Sequence, residues 1–114
     1  MKQIKFAPEL VKLIKVGEKT STWRLFDDKD LKEGDVVDFV ARPELTVFAQ
    51  AKLTKVIKKK LGKLTEKDKE GHEKFASDEE MYKTYEGFYN QPVGPNSPVK
   101  LIWFEIVKRK QKDL

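Results

Sequence analysis

The sequence contains no cysteine, so disulfides, thiolate metal ligands and cysteine nucleophiles are all excluded. It contains one histidine, His72, and no set of acids with metal-ligand spacing surrounds it. No metal or other cofactor is expected. No Ser-His-Asp pattern and no glycine-rich phosphate loop is visible. No apolar run approaches the roughly 20 residues that span a bilayer. The opening Met1-Lys2-Gln3-Ile4-Lys5-Phe6 lacks the apolar centre of a signal peptide. A cytoplasmic protein without a membrane partner is the expectation. Internal repeats and low-complexity tracts are missing as well.

What is present is charge. Of 114 residues, 38% are charged and 39% hydrophobic, which suits one small domain with a modest core. Residues 1–110 are assigned to that domain and 111–114 to a charged tail. The net charge of +5 is unevenly spread: six lysines and no acid lie between Lys52 and Lys63, while acids gather between Glu66 and Glu86. Such separation attracts a polyanion, nucleic acid above all. A solvated lysine-rich face is the alternative, and composition does not choose between them.

Residue patterning gives the elements. Gln3–Phe6 reads as a short strand, and Pro8 suits the first turn of a helix. Leu10, Leu13 and Ile14 share that helix's apolar face, and Gly17 ends it. Thr20–Leu25 is rich in β-branched and aromatic residues and reads as a strand. Val36–Ala41 is another, and Val47–Leu53 alternates with Val47, Ala49, Ala51 and Leu53 inward. The phase slips near Lys55, as at a bulge. Thr65-Glu66-Lys67-Asp68 starts a helical turn that Gly71 closes. Ser77-Asp78-Glu79-Glu80 is a capping box opening a helix over Asp78–Tyr89. Gln91–Pro98 is a loop, and Val99–Val107 a strand apolar on both faces, hence central. From Lys108 on, the tail is expected to fray. The order implies an α+β fold with a mostly antiparallel sheet closed into a small β-barrel and two or three flanking helices.

The stretch Gly17-Glu18-Lys19-Thr20-Ser21-Thr22-Trp23-Arg24 concentrates polar chemistry where a helix hands over to a strand. With Phe6-x-Pro8-Glu9-Leu10-Val11 before it, it resembles the ASCH domain, a β-barrel family related to the PUA RNA-binding fold. Gly34-Asp35-Val36-Val37, Leu64-Thr65-Glu66, Glu70-Gly71-His72-Glu73 and the Val99–Glu105 strand follow in the family's order.

The resemblance implies a PUA-like barrel with a cleft at the helix-to-strand junction and a ligand that is RNA or a modified pyrimidine nucleoside. The first reading is a binding module acting in RNA metabolism, with the enzyme as its alternative: Lys19 and Arg24 would contact phosphate, assisted by Lys55 and Lys58. Trp23 or Tyr89 would stack on a base, with Thr20, Glu70 and His72 beside them. As an enzyme, it would be an amidohydrolase removing the acetyl group of N4-acetylcytidine. The resemblance then casts Thr22 as nucleophile, Lys19 as base and Glu73 as proton donor, with Glu70 the alternative to Glu73. A lysine base must be a free amine, and burial beside Arg24 favours that form. In a regular strand Lys19 and Thr22 point to opposite faces, so they converge only if Lys19 still belongs to the turn.

Overall fold

The computed structural model describes residues 2–27 and 29–109. In chain order these form β1 (Gln3–Phe6), α1 (Pro8–Lys15), β2 (Ser21–Leu25), β3 (Val36–Ala41) and β4 (Thr46–Lys60). A 3-10 turn (Leu61–Lys63), α2 (Asp78–Tyr89) and β5 (Pro98–Arg109) follow. One five-stranded sheet has the order β1-β3-β4-β5-β2. Only β1 and β3 run parallel; the other neighbours are antiparallel. The sheet curls into a half-barrel with β1 and β2 as its edges, an α+β architecture of the PUA-like kind.

Local chemistry explains the boundaries. Ser77 accepts a hydrogen bond from the Glu80 amide and caps α2, and Asn90 ends that helix in the left-handed region at φ 54°. The Thr65–Asp68 box forms reciprocally, each side chain bonding the other's amide. Only turns follow it, since Gly71 leaves the helical region at φ +78°. In α1, Val11 and Ile14 are the buried residues, so the apolar face is rotated from the Leu10–Leu13–Ile14 stripe.

Two strands run longer than their hydrophobic pattern. β4 continues through the lysine-rich segment to Lys60 because each of its last residues pairs with the apolar half of β5, from Lys55 opposite Trp103 to Lys60 opposite Pro98. The register shifts between Leu53 and Lys55, where the pattern slips. Lys108 and Arg109, expected to fray, pair with Gln50 and Ala49; residues 111–114 lie outside the described residues. No helix among the described residues is long and apolar enough to cross a membrane.

Two apolar clusters hold the fold. The first, beneath α1, centres on Phe39, whose ring lies 4.8 Å from that of Phe6 and 4.7 Å from that of Phe104. The second lies beneath α2 and joins Trp23, Leu25, Leu61, Met81, Tyr85 and Leu101. Between the clusters the sheet edges approach each other without pairing, and Arg24 Nη2 bridges them by donating to the Lys5 carbonyl at 2.6 Å.

Candidate functional site

The site begins with the end of α1. Gly17 takes φ +81°, and the amides of Glu18 and Lys19 both fold back onto the Leu13 carbonyl. Lys19 therefore precedes β2, which starts at Ser21, and the alternation of a strand does not apply to it. Its side chain turns inward to 1% exposure, and Nζ meets Glu73 Oε2 at 2.7 Å.

Glu73 is brought there by a staple. The amides of Thr20 and Ser21 both donate to the Gly71 carbonyl, at 2.8 and 3.1 Å, and Ser21 Oγ donates to the Glu70 carbonyl. A Cβ on Gly71 would fall 2.0 Å from Thr20 Oγ1, so this close approach requires glycine. The Glu70 side chain is exposed, whereas Glu73 faces the pocket.

Charges in this corner are tightly coupled. Burial lowers the Lys19 pKa, Arg24 adds to the effect, and Glu73 opposes it. Desolvation works to raise the Glu73 carboxyl, the Lys19 ammonium and its hydrogen bond work to lower it, and the net shift is downward. His72 is pushed down to about 4, chiefly by burial and then by the Lys19 charge. The imidazole is therefore neutral near pH 7. Its Nδ1 lies 2.8 Å from the Glu73 carbonyl, which can only accept, so the proton is on Nδ1. Nε2 is then left to accept from Tyr85 OH at 3.4 Å, and its 3.4 Å approach to Glu73 Oε1 is not an ion pair. The ring stacks on Trp23 with centroids 3.7 Å apart and planes at 13°.

A pocket of about 380 Å³ opens in front of this corner, lined among others by Thr22, Arg24, Glu73, Tyr85, Tyr89 and Arg42. It occupies the seam between β1 and β2. Backbone direction adds to it. The amides of Ser21 and Leu25 donate away from β5, to Gly71 and to Tyr89 OH, while the Thr20 carbonyl accepts from Phe104 across the ladder. Alternation along β2 then aims the N–H and C=O of Trp23 into the seam. Among the described residues Arg24 Nε is buried without a hydrogen-bond partner, and the guanidinium sits 5.0 Å from the Phe6 ring centre.

No family model and no curated protein matches the chain. Solved structures do. A protein from Enterococcus faecalis V583 assigned to family model DUF984 superposes with TM-score 0.74 at 20% identity, over 93% of this chain and 74% of that one. An ASCH domain from Lactobacillus crispatus JV V101 gives TM-score 0.66 at 15% identity, over 86% and 70%. ASCH from Zymomonas mobilis gives 0.62 at 20%, over 90% and 65%. The chain has the ASCH-domain fold.

Within that ASCH fold the expected site residues divide. Thr22, Trp23, Arg24, His72 and Glu73 line one pocket, and Lys19 reaches it through its contact with Glu73. Thr20 is exposed and contributes its backbone to the staple. Trp23 is 4% exposed with one face covered by His72, so it is a wall of the pocket and not a free stacking surface. Lys19 is too buried to meet a phosphate at the surface. Lys55 lies over Trp103 and Lys58 borders a different hollow beside Lys100, so neither joins this pocket. Sequence reasoning passed over Tyr85, whose helical spacing reads as core, and Arg42, which nothing marked. Tyr85 is both: 5% exposed in the second cluster, with its hydroxyl on His72.

Proposed function

We propose that the pocket takes a pyrimidine ribonucleoside and hydrolyses an amide on its exocyclic amine, N4-acetylcytidine being the substrate to test. The observation that carries this reading is the Lys19 amine, 1% exposed and held at 2.7 Å by one carboxylate, next to a nucleoside-sized pocket that Thr22 lines. A module built to grip phosphate would present that lysine to solvent.

The chemistry closes on these groups. A proton shifts along the 2.7 Å contact from the Lys19 ammonium to Glu73, leaving a free amine beside a carboxylic acid. Thr22 Oγ attacks the acyl carbon while Lys19 takes its proton. The C–N bond breaks, Glu73 donates its proton to the departing amine, and the ammonium–carboxylate pair is restored. Water then cleaves the acyl-threonine ester by the same relay, releasing acetate and Thr22. Burial of Lys19 favours the free amine, as general-base catalysis near neutral pH requires.

Cytidine release from N4-acetylcytidine tests this directly. Lys19→Ala, Thr22→Val and Glu73→Gln are each expected to lose roughly 10²-fold or more in kcat/KM. Absence of release by the unmodified protein, or full activity in Thr22→Val, rejects the hydrolase.

The second reading is RNA binding through the pocket and the basic run of β4, which keeps Lys52, Lys55, Lys58 and Lys60 exposed. About five neutralised phosphates would give a log–log salt slope near −3.5 on a single strand.

A further inference from the structure

We infer that the Arg24–Arg42 end of the seam is a phosphate subsite, so that the pocket takes a nucleotide or a nucleotide unit of RNA more tightly than the free nucleoside. The base-side part of this statement rests on the reading above; the anion subsite itself rests on the following geometry.

Arg24 and Arg42 both line the pocket and also a second hollow of about 230 Å³ that continues from it along the seam. Lys5 and Lys29 line this second hollow too, and among the described residues Asp27 is the acid that lines it. Among the described residues no carboxylate forms an ion pair with either guanidinium. Arg24 spends one N–H on the Lys5 carbonyl and leaves Nε buried and unpartnered. Burial opposes the Arg24 charge, Tyr89 and Asp27 favour it and Arg42 works against it, and its buried Nε, unpartnered among the described residues, is costly when the hollow is empty. A phosphate relieves it, since guanidinium donors match its oxygens.

The flank of the hollow suits a nucleotide. Phe26 sits there at φ 53°, 44% exposed, with its ring 5.6 Å from Tyr89 in an edge-on pair. A left-handed φ in a bulky residue is an uncommon conformation that other contacts must hold. Here it keeps an aromatic surface beside the cations. Glu73 lies at the other end, held by Lys19, so the acid that would repel a phosphate is neutralised and directed to the base. The ligand then lies along the seam, base toward Thr22 and phosphate toward Arg42.

Calorimetry with cytidine, cytidine 5′-monophosphate, cytidine 3′-monophosphate, the dinucleotide CpC and inorganic pyrophosphate tests the subsite. Unmodified protein is compared with Arg42→Ala, whose exposed site leaves folding intact as checked by Tm. At low salt at least one phosphorylated ligand is expected to bind about 10- to 100-fold more tightly than cytidine, the effect of one or two charge-assisted contacts. Arg42→Ala is expected to weaken the phosphorylated ligands about 10-fold or more beyond any change in cytidine binding. Preference for CpC over both monophosphates identifies an RNA unit; preference for a monophosphate identifies a free nucleotide. Pyrophosphate binding that needs Arg42, without any cytidine binding, keeps the subsite and rejects the nucleoside reading. Equal affinities for all ligands, equal weakening of cytidine and its phosphates by Arg42→Ala, or no binding of any probe overturns the subsite.

Discussion

The two halves of the sheet are built from different materials. Beneath α1, the cluster around Phe39 is apolar throughout: Ile4, Phe6, Val37, Phe39, Leu53 and Ile102 are each at most 2% exposed. Beneath α2, the second cluster is threaded with polar atoms, including Tyr85 OH, the His72 imidazole and the Lys19–Glu73 pair. Burying a polar network gains little stability compared with close-packed hydrocarbon and leaves partly satisfied groups at risk. The first half therefore supplies rigidity, and the second places reactive groups where water is scarce. Pocket and scaffold are separated across one sheet.

Substitutions break the contrast in graded ways. Phe39→Ala strikes the apolar half and is expected to cost about 3–5 kcal/mol, by analogy with other buried Phe truncations. Denaturant titrations at two pH values between 4.5 and 7 should return the same loss, because nothing in that cluster titrates. A pH-dependent loss would show that the halves are coupled.

The polar half answers to acid instead. His72 has a folded pKa of about 4 against 6.5 unfolded. Between those values the unfolded chain binds more protons, so stability is full above pH 6.5 and falls as pH drops toward 4. The loss approaches about 3 kcal/mol at most. Comparing unfolding free energies of unmodified protein and His72→Gln across that window should show the variant's curve flattened. Parallel curves would remove His72 as the acid-sensitive group.

Gly71→Ala tests the staple between the halves' chemistry and their scaffold. A new Cβ 2.0 Å from Thr20 Oγ1 at φ +78° is expected to cost about 1–3 kcal/mol. It should also displace Glu73 from Lys19, so the proposed hydrolysis is expected to fall further than stability. Wild-type kcat/KM in Gly71→Ala would separate the staple from the site. The smallest effect is expected from Ser77→Ala, about 1 kcal/mol for one lost cap on α2, measured as a shift in denaturation midpoint with the site untouched.

Much of the scaffold was legible because its signals are local. The Ser77–Glu80 box opens α2 where the spacing predicts, and Val99, Leu101 and Ile102 of the double-sided apolar run are buried in an interior strand. The lysines after Leu53 hid the rest of β4, because its pairing is dictated by β5 and not by its own composition. Lys19, Thr22 and Glu73 were legible only as a family-like pattern; their approach depends on the Gly71 carbonyl reaching β2 across more than 40 residues. Arg42 was invisible for a similar reason. It follows β3, and only the parallel pairing of β3 with β1 brings it to the seam beside Arg24.

That seam also gives the amino-terminal strand a stability of its own. β1 is paired along one edge only, to β3, and its other edge is tethered by two side-chain donors, Arg24 on the Lys5 carbonyl and Lys29 on the Gln3 carbonyl. Its release would leave the four antiparallel neighbours β3-β4-β5-β2 still laddered while dismantling one wall of the pocket. Sub-global opening of this kind is the low-energy excursion of such a sheet. Occupancy of the pocket and resistance of the chain's beginning to proteases are then two readings of a single equilibrium, and a ligand that spans the seam shifts both together.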